Sequence, residues 1–505
     1  MRKKKAFLNV ICSLSSYFTA MIFTFITQAM IVKILGIEYS GVNGLFTNIL
    51  TMLSVAELGL STTIIYKLYE PIAKNDKELI KTWLDFYKMC YRIVSIFVLI
   101  VGLIVIPLIP IIVGKTAINE NLTYLYIVAL LDTVFSYLMT YKRSLLHADQ
   151  KNYIINIVHI GYLVLMNITQ IVVLYIFKNY MYFLIIKLFY RLLENIVLNI
   201  YVNKKYPYVQ EKANKISKFE RRDFFKRIAA MFIQKISFVV NKGIDNICIS
   251  VILGISSVGY YTNYNLIATT LCGIVFQIIS ALGASVGNLL TEKNYKKNYS
   301  IFKKINYFNS IITCLCIVGF INCIQSFIKV WIGEVYLLNI YVILSFGLYI
   351  YADSIRRSIT IFKEAAGICK EDQLMYIYMA IINLTASILL CKTIGTSGVI
   401  LGTAISYLFL IFYSYPKFIF KSVFKERVIL YYKDTIKYIF MIILATLLAN
   451  IICNSIDFEK MIISLIFRIF VSLFCTLFIF ILFTYRSDEF KYYINIIKKV
   501  KRDEK

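Results

Sequence analysis

The chain begins MRKKKAFLNVICSLSSYFTAMIFTFITQAMIVK (residues 1–33), a cluster of cations followed by a run from Ala6 to Val32 that carries no charge. A helix needs about 20 mostly apolar residues to cross the hydrocarbon core of a bilayer, so this run is long enough to span it. A basic start before an apolar stretch also resembles a secretory signal. The run is too long for a signal's apolar region, however, shows no convincing cleavage site and leads into further apolar runs. We read it as the first membrane anchor.

The rest of the 505 residues has the same character. With 59% hydrophobic residues, 16% charged and a mean hydropathy of +0.72, the chain is excluded from the soluble and the disordered classes. Apolar windows lie near 7–32, 42–66, 84–113, 122–146, 153–177, 180–203, 226–253, 258–290, 301–323, 336–355, 374–391, 396–416, 434–454 and 461–484. At about 36 residues per helix with its loop, fourteen spans fill the chain and leave no room for a large soluble domain.

The net charge of +27 would suit a nucleic-acid partner if position did not decide otherwise. Of the 55 Lys and Arg, 42 fall in alternate connections that include both tails; only Lys33, Lys115, Lys178, Lys329, Lys392 and Lys460 fall in the others. The positive-inside rule reads this as fourteen spans with both termini in the cytoplasm, the lipid bilayer as partner and no nucleic acid.

Two glycines repeat at a fixed spacing. Ile34-Leu-Gly36-Ile37 is followed by Gly41, and Ile252-Leu-Gly254-Ile255 by Gly259. Six windows separate the copies, an even number that preserves orientation. The expected fold is therefore all-α and polytopic, with two six-helix lobes in parallel pseudo-repeat plus two C-terminal helices. The lobes are 1–203 and 226–416, joined by a cytoplasmic amphipathic linker at 204–225. Helices 13 and 14 lie within 417–485, and 486–505 is a basic cytoplasmic tail. Phe219, Phe224 and Phe225 among the linker's cations suggest a helix lying on anionic lipid.

A charge at the bilayer centre costs ~2.5–3.5 kcal/mol on insertion scales and usually faces a bundle interior or a wet cavity. Span six sets Lys187, Arg191 and Glu194 on one helical face; span seven does the same with Gln234, Lys235, Asn241, Lys242 and Asp245. Each stripe holds two cations and one acid, leaving a surplus cation for an anionic ligand. Single acids lie at Glu57, Asp132 and Asp353, the last one turn before Arg356. Lys242 with Asp245 and Asp353 with Arg356 also fit plain intramembrane pairs. The stripes together read as a substrate-binding cationic cavity of Lys187, Arg191, Lys235, Lys242 and Arg356. Gln234, Asn241, Glu57, Asp132, Glu194, Asp245 and Asp353 would be its polar and acidic lining.

Little else carries chemistry. The eleven cysteines lie mostly inside apolar runs without a C-x-x-C pair, and the two histidines, His147 and His159, leave almost no material for a catalytic or zinc site. Gly114-Lys115-Thr116 matches the tail of a phosphate-binding loop, but the motif's first glycine would fall at Ile109. No metal, no cofactor and no enzymatic activity are expected.

The stretches Ala56-Glu-Leu-Gly59-Leu-Ser61, Tyr69-Glu-Pro71-Ile-Ala73 and Tyr141-Lys-Arg-Ser-Leu145-Leu-His-Ala-Asp-Gln150 resemble the oligosaccharide flippases of bacterial O-antigen and capsule synthesis. So do Gly243-Ile-Asp245-Asn246, Val258-Gly259-Tyr-Tyr-Thr-Asn263-Tyr264, Ser285-Val-Gly287-Asn288 and Phe362-Lys-Glu-Ala365-Ala-Gly367. Those proteins belong to the multidrug, oligosaccharidyl-lipid and polysaccharide exporter superfamily. The resemblance implies a transporter of the bacterial cytoplasmic membrane that flips undecaprenyl-pyrophosphate-linked repeat units by alternating access. It also implies a polysaccharide polymerase and glycosyltransferases as partners.

Two rivals are less well matched. A cation-coupled drug exporter of the same fold should line its cavity with net acid, whereas both stripes are net basic. An O-antigen polymerase should carry a substantial outer loop, and none here exceeds about 15 residues.

The charge asymmetry makes the topology testable. Cysteines introduced at Lys215 and Lys296 should react only with reagents that reach the cytoplasm, and those at Asn119 and Asp457 with impermeant reagents outside. A protected Asn119 or an externally labelled Lys215 breaks the fourteen-span reading.

Overall fold

In a computed structural model of the full chain, residues 2–57, 60–368, 371–456 and 458–503 are described, without the side chains of 2–7, 10, 56, 62, 227, 229–235, 242, 284, 497 and 499–503. The described residues form helices and no strands. They divide into two compact units, Met1–Thr262 and Asn263–Lys505.

The first unit holds α1 (Arg2–Met30), α2 (Ile37–Leu53), α3 (Leu60–Lys74), α4 (Lys77–Val105), α5 (Ile109–Val113), α6 (Leu122–Leu138), α7 (Thr140–Ala148), α8 (Asn152–Phe177), α9 (Tyr180–Lys205) and α10 (Lys218–Leu253). It ends within α11 (Ile255–Ser280). The second unit continues with α12 (Gly283–Thr291), α13 (Tyr295–Trp331), α14 (Ile340–Ile355), α15 (Arg357–Ala365), α16 (Gln373–Ile394) and α17 (Thr396–Phe409). It closes with α18 (Val428–Asn454), α19 (Met461–Thr484) and α20 (Asp488–Asp503).

Polar residues at the loop ends start the helices. Asn121, Asn179 and Asn294 each accept a hydrogen bond from a backbone N–H of the first turn. Ser217 and Glu220 form a reciprocal capping box that starts α10, which then runs unbroken for 36 residues. The cationic start of α10 is thus continuous with the helix whose apolar part, Ile236–Leu253, is long enough to cross a membrane. Phe224 is fully buried against Trp83 and Phe86, while Phe219 stays 82% exposed.

Apolar side chains cover the outside. Tyr175 is 72% exposed, Phe470 66% and Ile466 62%, a surface that only hydrocarbon tolerates at this scale. The protein is a multi-pass membrane protein. Among the described residues ten helices are long and apolar enough to span, or eleven if α6 and α7 make one bent span. The four remaining windows of the predicted fourteen are the interrupted or charged ones. Window 42–66 breaks into α2 and α3 at the tight turn Ser54–Glu57, and 122–146 bends by 43° between α6 and α7. Window 180–203 carries Lys187, Arg191 and Glu194, and 336–355 yields a helix of only 16 residues before it breaks at Arg356. Apolar periodicity does not resolve such breaks, because the residues on both sides stay helical.

The glycine repeat becomes a contact. A Cβ on Gly41 would lie 2.3 Å from the backbone oxygen of Ile255, and one on Gly259 would lie 2.2 Å from that of Ile37. Residues 37 and 41 are the repeat partners of 255 and 259, so α2 and α11 cross about a local pseudo-twofold axis. Glu38 and its repeat partner Ser256 meet there, with the Ser256 hydroxyl donating to Glu38 Oε1 at 3.0 Å. Glu38 Oε2 also accepts from Thr116 Oγ1 at 2.6 Å and Ala117 N–H at 2.7 Å, which pins the loop before α6 to the crossing.

This crossing needs glycine for space, unlike Gly161, which has none of that crowding. Gly41→Ala and Gly259→Ala should each lower the thermal midpoint of the purified protein. Gly161→Ala, where an added methyl meets nothing within 4 Å, should leave it unchanged or raise it by the helix preference of alanine. Equal behaviour of all three would rule the close crossing out.

Candidate functional site: a buried charge cluster in the first unit

Asp132 sits mid-helix in α6, a helix that is otherwise apolar, and is 6% exposed. The α9 stripe meets it: Lys187 Nζ lies 3.3 Å from Asp132 Oδ2 and Arg191 Nε 3.3 Å from Oδ1. One turn further, Arg191 Nη1 donates to Glu194 Oε2 at 3.1 Å. The side chain of Glu194 has no exposed surface, and two other helices supply it with partners. Arg143 of α7 approaches Oε2 at 3.3 Å, and His159 Nδ1 of α8 lies 3.0 Å from Oε1. The Arg191 guanidinium also stacks 5.2 Å above the Tyr162 ring. Asn195, next on the stripe, accepts from Arg143 Nη2 at 3.0 Å and donates to Phe135 O at 2.9 Å.

Four helices therefore converge on three cations and two carboxylates. Lys187, Arg191 and Arg143 against Asp132 and Glu194 leave one surplus positive charge. Lys187, 38% exposed at the end of the row, lines a polar cavity of about 160 Å³. All three cations are paired with buried acids, and Lys187 is the most exposed of them.

The other predicted residues lie elsewhere. Glu57 ends the tight turn between α2 and α3, where Tyr91 donates to Oε1 at 2.5 Å and Ser61 at 3.1 Å. On α10, Asn241 is fully buried, and Asp245, 5% exposed, accepts from the Tyr261 hydroxyl at 3.2 Å. The side chains of Gln234, Lys235 and Lys242 lie outside the described residues. In the second unit Asp353 takes Arg356 at 2.5 Å and Arg357 at 2.6 Å. Arg356 is 3% exposed and stacks on Tyr407 at 4.7 Å. Its neighbour Arg357 is the one that lines a cavity, of about 260 Å³, with Ser280, Thr360 and Glu364.

Arg143, His159 and Arg357 were not among the predicted site residues. A signal for two of them exists in the chain: Lys142-Arg143-Ser144-Leu145 and Arg356-Arg357-Ser358-Ile359 match, and each follows the break of a short helix. Among the described residues no group of three or more His, Cys, Asp and Glu is arranged to hold a metal ion.

The family described as "Polysaccharide biosynthesis protein" matches residues 7–282, more than half of the chain. The chain belongs to the polysaccharide biosynthesis protein family. The matched residues include the whole charge cluster of α6 to α9. Among solved structures, the lipid II flippase MurJ in an inward closed conformation is similar with a TM-score of 0.63 at 16% identity, over 94% of this chain and 98% of that one. An inward-facing multidrug resistance MATE family transporter of the MOP superfamily gives a TM-score of 0.61 at 13% identity, over 79% of this chain and 94% of that one. A mutant of the Vibrio cholerae MATE transporter VcmN gives 0.52 at 12% identity, over 84% and 98%. At these identities the likeness establishes a shared fold, that of flippases and exporters. No curated protein matched by sequence.

The cluster predicts a strong coupling in this polysaccharide biosynthesis family member. Removing one partner of a buried pair costs about 3–5 kcal/mol, because the other charge is left uncompensated. Glu194→Gln should therefore lower the thermal midpoint sharply, and adding Arg143→Gln should recover part of the loss. Strictly additive losses in this double-mutant cycle would mean that the two side chains do not interact.

Proposed function

We propose that the protein flips undecaprenyl-pyrophosphate-linked oligosaccharide repeat units from the cytoplasmic to the outer leaflet of the bacterial cytoplasmic membrane, with both termini in the cytoplasm. The observation that carries this reading is the surplus cation of the α6–α9 cluster in a chain of the polysaccharide biosynthesis family. A pyrophosphate cannot shed its hydration into hydrocarbon unaided. Lys187 and Arg191 replace that hydration with charge-assisted hydrogen bonds while the polyprenyl tail stays in lipid. Alternating exposure of this cationic site to the two sides of the membrane then moves the headgroup. Lys235 and Lys242 belong to the same cationic lining in this reading, and the acids Asp132, Glu194 and Asp245 keep the cations in place while the site is empty.

Driving force does not require ATP. Moving negative charge outward against an inside-negative potential is downhill by ~2.3 kcal/mol per charge per 100 mV. An exporter of organic cations would need the opposite balance, net acid where this cluster is net basic. Polymerase and glycosyltransferases, which consume and supply the lipid-linked unit, are the partners this reading implies.

The test is surface polysaccharide in a host whose own flippase is deleted and replaced by this chain. Lys187→Gln and Lys235→Ala should each reduce export severalfold at normal protein level. Arg191→Lys should retain part of it, since charge is kept while the two-pronged geometry is lost. Wild-type export by both Lys187→Gln and Lys235→Ala would sink the cationic mechanism.

A further inference from the structure

The polar cavity beside Lys187 is bounded by α2, α6 and α9. Asn43, Thr47 and Thr51 follow one another along α2 at spacings of four, which puts them on one face of the helix, Ser54 follows in the turn that ends it, and Thr133 of α6 also lines the cavity. The direction of their hydrogen bonds decides what the cavity offers. Thr51 donates its hydroxyl proton to Thr47 O at 2.7 Å, Ser54 to Thr51 O at 2.6 Å, and Thr133 to Ala129 O at 3.2 Å. A hydroxyl has one proton and two lone pairs, so these three side chains are left with lone pairs to offer a ligand. Asn43 is the converse. Its Oδ1 already accepts from the Tyr180 hydroxyl at 2.9 Å, which leaves the amide N–H₂ to donate. Lys187 adds an ammonium, and Phe46, Leu50 and Leu184 supply apolar wall.

Each simple class of ligand but one is mismatched to this set. A second phosphate wants donors throughout and would face three sets of lone pairs. An acyl or prenyl chain would strand the polar groups without partners. An organic cation would meet Lys187. A sugar ring brings hydroxyl protons for the lone pairs, oxygens for Asn43 and Lys187, and a C–H face for Phe46 and Leu50.

We propose that this cavity is a subsite for one monosaccharide of the lipid-linked substrate, read by the acceptor oxygens of Thr51, Ser54 and Thr133 and the donors Asn43 and Lys187. The proposal rests on the flippase reading above and adds what is recognised beside the pyrophosphate. It makes the α2 face a specificity determinant: an isosteric change there alters which repeat unit is held without altering the anionic anchor.

The experiment uses the purified full chain in lipid nanodiscs. Four probes are titrated: undecaprenyl pyrophosphate alone, and undecaprenyl pyrophosphate bearing N-acetylglucosamine, glucose or galactose. At least one glycosylated probe should bind about tenfold more tightly than the bare lipid, since each good hydrogen bond contributes about fivefold. The double variant Thr51→Val with Thr133→Val keeps shape and removes two acceptors, so that preference should fall toward one. Should the double variant not fold, Ala129→Leu fills the same cavity from another position and should have the same effect. The proposal is overturned if no glycosylated probe binds more tightly than the bare lipid, or if the preference survives in the double variant and in Ala129→Leu. Failure of the flippase reading looks different: the bare lipid itself would not bind, or its affinity would be unchanged by Lys187→Gln and Arg191→Lys.

Discussion

A carboxylate with no exposed surface inside a membrane protein must be answered by cations, and the arrangement around Glu194 follows from that requirement. An isolated charge in hydrocarbon is prohibitively unstable, and a pair recovers the loss only when the remaining lone pairs are also satisfied. Glu194 meets the condition by drawing Arg143 from α7, His159 from α8 and Arg191 from its own helix. Asp132 draws Lys187 and Arg191, and in the second unit Asp353 draws Arg356 and Arg357. Each of these acids takes more than one cation. The charges thereby fix which helices neighbour one another, a task that apolar packing performs poorly in lipid, where the solvent is as apolar as the side chains.

The same requirement accounts for the broken helices. Arg357 is the first residue of α15 and Arg143 lies in the first turn of α7, at the end of a helix where the macrodipole disfavours a cation. Both are tolerated because an acid lies within reach, Asp353 in one case and Glu194 in the other. A straight helix would carry these side chains elsewhere. The bend of 43° between α6 and α7 redirects Arg143 toward the α9 stripe. Each span that fails a plain test of length and apolarity carries an intramembrane acid, Glu57, Asp132, Glu194 or Asp353, although Asp245 shows that a passing span can carry one too.

What was legible in the sequence divides along the same line. Apolar windows, glycine spacing and the helical phase of Lys187, Arg191 and Glu194 are local properties; ten of the fourteen windows appear as plain spans, and the stripe lies on one face of α9. The repeat of Gly41 at Gly259 even foreshadowed a contact, since the two copies touch. Arg143 and Arg357 escaped because both sit near window ends, where a cation also satisfies the positive-inside rule. His159 was weighed only for catalysis or zinc, yet its ring sits beside a carboxylate. No local pattern states which acid on which other helix a cation will find, and none marks a break between two stretches that are both helical.

A carrier must also release what it binds, and the charge balance bears on this. Three unopposed cations would hold a pyrophosphate so firmly that the second half of the cycle would stall, because a ligand shifts a conformational equilibrium only through its differential affinity for the two states. On the flippase reading, Asp132 and Glu194 act as resident substitutes for the substrate. Lys187 and Arg191 exchange a carboxylate for a phosphate oxygen when the headgroup enters and exchange back when it leaves. The gain on binding is then the difference between two ion pairs rather than the whole of one, which leaves the empty cluster stable within hydrocarbon and the loaded one able to let go.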